Sequence, residues 1–198
     1  MRWSGSFRKR WLVPLVAAVA VVPAAAVSAV AGEQDTFTEE TGEAFWSVPH
    51  TCADGAVVDG TLLVRSTRDF EQPETDDTDP TTRVQFLAVC PDGSSFSWAV
   101  PGAPSTITST PNLKSIRTVG SGTARDILGV THTVTFDVTY TGVGPIVTEV
   151  NGPGSTRRER EATATGVVTF DGTVIVNGAN NHPTRPAPFI RVDIEKGS

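Results

Sequence analysis

Residues 130–141 read VTHTVTFDVTYT. Val130, His132, Val134, Phe136, Val138 and Tyr140 take every second position, and threonines with Asp137 take the positions between. Side chains of an extended chain point alternately to opposite faces, so this segment is a strand with one apolar and one wet face. Such a strand is not stable alone. Its backbone edges need partners and its apolar face needs a second layer. The rest of the chain must supply both.

It does so with more strands. Residues 57–67, 83–90, 95–100, 115–123, 146–150, 162–170, 173–176 and 189–194 are rich in Val, Thr and aromatic residues, and no stretch of the body carries a helical 3.6-residue period. Breakers separate them: Pro91-Asp92-Gly93, Pro101-Gly102-Ala103-Pro104, residues 142–145, Asn151-Gly152-Pro153-Gly154. Asp171-Gly172 joins two runs with the two residues that a type I′ hairpin favours. The expectation is an all-β fold, an antiparallel β-sandwich of about nine strands, with a closed β-barrel as the alternative. Gly120-Ser121-Gly122 lies inside a strand-like run and reads as close backbone packing or a bulge.

The ends of the chain set the domain plan. Residues 1–31 carry Arg2, Arg8, Lys9 and Arg10, then the apolar run LVPLVAAVAVVPAAA, then Ala29-Val30-Ala31. Basic head, short apolar helix and small residues at the exit are the layout of a secretory signal peptide. Cleavage is expected after Ala31, with Ala29 as the second candidate; Pro14 and Pro23 and the Ala-rich run weigh against a retained anchor. Residues 32–44 are acidic and polar and read as a flexible arm, leaving 45–198 as a single domain. The formal charge of −6 understates the acidity of that body, because the leader holds four cations and no acid. An acidic body argues against nucleic acid and anionic membrane surfaces as partners. A monomer with a protein or glycan partner is the expectation.

Cys52 and Cys90 are the only cysteines. An even count in an exported chain reads as a disulfide, here closing a loop of about 39 residues, worth on the order of 4 kcal/mol by loop entropy. There is no C-x-x-C and no histidine pair to suggest a metal or redox site.

Candidate chemistry is sparse. His132 and Tyr140 share the apolar face of the alternating strand, so they suit the lining of a ligand cavity or a hydrogen-bonded core pair. The loop at 177–188 offers Asn180, Asn181, His182 and Arg185 as a recognition surface. The connection at 68–82 carries six acids, and Asp76, Asp77 and Asp79 are the candidate calcium ligands; Pro80 stands where a tight glycine turn would be needed. No other cofactor is expected. Arg157, Arg158 and Arg160 alternate with glutamates and read as a self-neutralised loop. The chain has no G-x-S-x-G, H-E-x-x-H, phosphate loop or dinucleotide fingerprint. A non-enzymatic extracytoplasmic binding module is the first expectation. A barrel holding a small apolar ligand is the second, and a hydrolase working through scattered carboxylates and His132 is the third.

Overall fold

A computed structural model describes residues 36–72 and 80–196. The signal segment, the acidic trio Asp76, Asp77 and Asp79, and the last two residues lie outside the described residues. The order is β1 (Thr36–Thr51), β2 (Val57–Gln72), β3 (Thr81–Val89), β4 (Ser95–Thr110), β5 (Ser115–Asp126), β6 (Thr131–Gly142), β7 (Val147–Gly152), β8 (Ser155–Phe170), β9 (Thr173–Ala179) and β10 (Phe189–Lys196). All ladders are antiparallel, and no helix occurs among the described residues. The all-β antiparallel fold and the Cys52–Cys90 bridge expected from the sequence are both present.

Pairing runs from β10 to β1, in chain order to β6, then to β8, which pairs back to β10. One sheet of ten strands therefore returns on itself. The 16-residue β8 makes this possible. Its first half pairs β7 on one edge and β10 on the other; its second half pairs β6 and β9. The ladders close in a ring, as in the barrel alternative, while the inner face is packed as a sandwich core would be. Trp46, Leu62, Val84, Phe136, Tyr140 and Ile190 are among its buried side chains.

The tenth strand is the one that the sequence concealed. Residues 36–44, read as a flexible arm, form the first half of β1 and pair with β2 and β10 on both edges. Their inward positions hold Thr38, Glu40 and Gly42 instead of Val or Ile, so the alternation is invisible. Gly42 is there because the Tyr140 ring covers it: a Cβ would lie 2.7 Å from Tyr140 Cδ2. The charged run at 155–161 is likewise strand, and the strands at 68–72 and 81–82 shorten the acidic connection from both sides. The Pro101–Pro104 breaker bends β4 without ending it; the register slips between Ala99 and Ser105. Gly120 and Gly122 sit under that bend, where a Cβ would meet Pro104 O at 2.9 Å and Ala103 Cβ at 2.9 Å. This is the close packing expected of them.

Tyr140 is fully buried in mid-core. Its hydroxyl donates to Val64 O at 3.1 Å and lies 3.4 Å from Ser66 Oγ. Thr82 continues the chain to Ser66 and, at 2.8 Å, to Thr118. Burial pushes the phenol's pKa well above its ordinary value, so it stays a neutral donor.

Four connections lie at one end of the sheet. Cys52–Ala56, Cys90–Ser94 and Asp126–Val130 close in the same way, the first residue's N–H donating to the last residue's carbonyl. The glycine before the last position has φ of +86, +83 and +82 degrees in the three turns, a conformation only glycine adopts without strain. The fourth is Asp171-Gly172, with φ of 47 and 78 degrees, the doubly positive type I′ turn expected.

Candidate aromatic cleft at the hairpin end

At this end the four turns are tied to one another in sequence, except at one place. Cys52–Cys90 joins the β1–β2 turn to the β3–β4 turn. Ile127 N–H donates to Ser97 O at 3.1 Å, joining the β5–β6 turn to β4. His132 joins the β5–β6 turn to the β8–β9 turn: Nδ1 is 2.7 Å from Asp171 Oδ2 and Nε2 is 3.3 Å from Asp126 Oδ2. Between β9 and the second half of β1 there is no ladder among the described residues. Lower in that gap, Trp46 Nε1 donates to Gly178 O at 3.4 Å and Ser47 N–H donates to Asn181 Oδ1 at 2.9 Å.

Above those bonds the gap opens into a cleft of about 190 Å³ lined by Val48, Pro49, His50, Phe86, Phe96, Trp98, Phe170 and Ile175. The rings form a continuous stack. His50 lies parallel to Phe96 at 4.9 Å, Phe86 stacks on Trp98 at 5.8 Å, and Trp98 meets Phe170 at 4.8 Å. His132 backs Phe170 at 4.4 Å from outside the lining. Strand geometry explains the gathering. These side chains sit near strand ends that share one end of the sheet, and all but Pro49, on the outward parity of β1, and the β9 bulge residue Ile175 follow the inward alternation. Exposed apolar side chains also lie in or beside the turns of this end: Val57, Val89, Ile127, Leu128, Val130 and Val174, with Leu128 79% exposed.

His132 is thus a pin and not a cavity wall. The hydrogen bond to Asp171 raises its pKa, with Asp126 adding in the same direction against burial. Asp171 is held below the ordinary carboxylate range by His132 and by Thr133 N–H, which donates to its Oδ1 at 2.8 Å. Burial pushes Asp126 upward, but the amides of Val130 and Leu128 together with His132 outweigh it and leave it lowered. Both ring nitrogens of His132 therefore face carboxylates, which favours the imidazolium. Tyr140 shares its face but lies eight residues down the strand in mid-core, so the two do not line one cavity.

The loop candidates are brought together elsewhere, against the outside of the sheet. Asn180 Oδ1 accepts from Ala164 N–H at 3.0 Å, His182 Nε2 is 2.8 Å from Thr61 Oγ1, and Arg185 lies over the Phe45 ring at 5.8 Å. His182, Arg185, Asp59 and Thr61 border a shallow cavity of about 360 Å³. Burial and the Arg185 charge lower the His182 pKa. Each polar group of the loop that these bonds use is spent on holding the loop to β1, β2 or β8. On the outer face of β7, β8 and β10, a groove of about 500 Å³ is lined by Arg157, Arg191 and three glutamates. Arg157 pairs with Asp193 at 2.8 Å and Arg191 with Glu159 at 2.6 Å, the self-neutralised pattern read from the sequence, on strands instead of a loop.

Sequence reasoning did not single out the cleft. In the sequence His50, Phe86, Phe96, Trp98 and Phe170 fall in four separate segments with no shared motif. Their one signal is that inward aromatics cluster near the ends of β3, β4 and β8 that share an end of the sheet. Comparison with family models, curated proteins and solved structures finds no match.

Proposed function

We propose that this protein is a non-enzymatic extracytoplasmic binding protein for a small apolar, ring-bearing molecule, taken up at the hairpin end. The single observation behind this reading is the aromatic cleft, which lies where β1 and β9 part, at an end of the sheet whose turns carry exposed apolar side chains. An apolar cavity of about 150 Å³ accepts benzene, so 190 Å³ suits one substituted ring or the end of a longer molecule. The ligand then sits at one end of the closed sheet, not deep in it, because the middle is filled by Tyr140, Phe136 and their neighbours. Hydrolysis gains little support. No carboxylate lines the cleft, and Asp126 and Asp171, which flank the His132 behind it, are already bound to His132 and to backbone amides. The disulfide is consistent with an extracytoplasmic location.

The test is a titration of the isotope-labelled protein with toluene, followed by amide and aromatic shifts. The expected result is saturable shifts confined to β1, β3, β4, β8 and β9 at the hairpin end, abolished by Ile175→Trp, which fills the opening. Shifts that never saturate, or that spread over the outer face of β8 and β10, would refute the proposal.

A further inference from the structure

One wall of the aromatic cleft rests on His132. Trp98 and Phe170 both line the cleft, their rings meet at 4.8 Å, and the His132 ring lies against Phe170 at 4.4 Å. The two carboxylates that hold His132 belong to residues beside those rings. Asp171 follows Phe170 in the chain, and Asp126 on β5 is the cross-strand partner of Trp98 on β4. Nδ1 is 2.7 Å from Asp171 Oδ2 and Nε2 is 3.3 Å from Asp126 Oδ2, so one imidazole links the β8–β9 turn to the β5–β6 turn at the Trp98–Phe170 pair. Among the described residues these two acids are the titratable groups that act on the ring. Its cross-strand neighbour on β5 is Ala124, and Arg125 takes the outer face beside Thr131. The wall has little support from the other side: β9, which supplies Ile175 to the lining, pairs only with β8 among the described residues.

An imidazolium has an N–H for each carboxylate. A neutral imidazole has one, and its bare nitrogen then faces an oxygen that offers only lone pairs. The shorter contact keeps the proton, so neutral His132 holds Asp171 and loses Asp126, whose side chain is only 5% exposed. Each turn persists, because Asp171 stays tied to Thr133 and Asp126 to the amides of Leu128 and Val130. What is lost is the link between them. Resting on the reading of this cleft as a ligand site, we infer that His132 is a positioning residue for the ligand: the doubly bound imidazolium fixes the Trp98–Phe170 wall, and loss of its proton loosens that wall and weakens binding. Coupling of this kind is reciprocal, so a ligand packed on the fixed wall also holds the proton more tightly. The bonds to Asp171 and Asp126 raise the His132 pKa, which puts the change on the alkaline side of 6.5, where both lowered carboxylates stay ionised.

Toluene has no ionisable group, so any pH dependence of its binding belongs to the protein. The experiment is a chemical-shift titration with toluene on both sides of the His132 titration, which the imidazole Cε1–H shift locates. Affinity is expected to fall about fivefold as His132 loses its proton, the low end of couplings between sites, and saturating toluene to raise the His132 pKa by the logarithm of the same factor. His132→Gln keeps a donor without a titration and should bind with one affinity throughout. His50→Phe removes the one titratable side chain of the lining and should retain the pH dependence. The His132 pKa with and without toluene needs no variant, so it decides the matter if His132→Gln does not fold. A flat affinity across the titration, an unmoved His132 pKa, or a pH dependence that disappears in His50→Phe would overturn this inference and leave the cleft standing as a site. Absence of saturable toluene binding at every pH would remove the site itself.

Discussion

Replacing both half-cystines, Cys52→Ala with Cys90→Ala, should lower stability chiefly through the unfolded chain. The bridged residues are 38 apart in sequence, and a loop of that length loses closure entropy worth about 4 kcal/mol at 25 °C. The folded side of the balance changes less. Cys52 and Cys90 each open a turn whose backbone bonds, Cys52 N–H to Ala56 O and Cys90 N–H to Ser94 O, both 2.8 Å, do not involve sulfur. Asp54 and Asp92 brace the same turns by accepting from Ala56 and Ser94 amides at 2.9 Å. The turns should therefore survive. For a domain of this size about 4 kcal/mol corresponds to a fall in melting temperature of about 8–16 °C. Urea unfolding of the variant, and of wild type held reduced, measures the loss directly, and the two should agree. A loss below about 1 kcal/mol in both would refute the loop-entropy reasoning. A loss confined to the reduced wild type would locate the effect in the freed thiols and not in the chain.

His132 makes stability depend on pH from both sides. Its raised pKa means that its contribution is whole below its unfolded value of 6.5 and fades as pH rises through the folded value. The lowered values of Asp126 and Asp171 mean that theirs is whole above 3.8 and fades as pH falls through the folded values. Melting temperatures of wild type and His132→Gln should differ most between those limits and converge above the folded histidine value; a gap that widens with alkalinity would contradict the pin. Gly42→Ala places a methyl against the buried Tyr140 ring at 2.7 Å and should cost about 1–3 kcal/mol by chemical denaturation. An unchanged midpoint would show that the ring yields.

Much of the fold could be read in single residues because strand alternation is a local rule. In β6 the inward set His132, Val134, Phe136, Val138 and Tyr140 follows from spacing alone, although Val130, at the turn, is exposed. Asp171-Gly172 marked its turn because few residue pairs tolerate two positive φ values. β1 was hidden for the opposite reason. Its inward positions are chosen to fit large partners, Gly42 beneath Tyr140, and not to be apolar themselves. The charges of β8 concealed its first half in the same way, since Arg157 and Glu159 gain their partners, Asp193 and Arg191, only when β10 is beside them.

The sequence by itself determined the all-β class, nine of the strands in whole or in part with their inward faces, and the disulfide, because each depends on neighbours one or two residues away or on counting two thiols. Tertiary structure alone decided that the sheet closes through β8 and β10, that β9 and β1 part, and that His50, Phe96, Trp98 and Phe170 surround the gap. Those outcomes depend on which strands become neighbours and in what register, and register joins residues as far apart as Thr36 and Lys196. A period of two states which face a side chain takes and carries no information about what it will face.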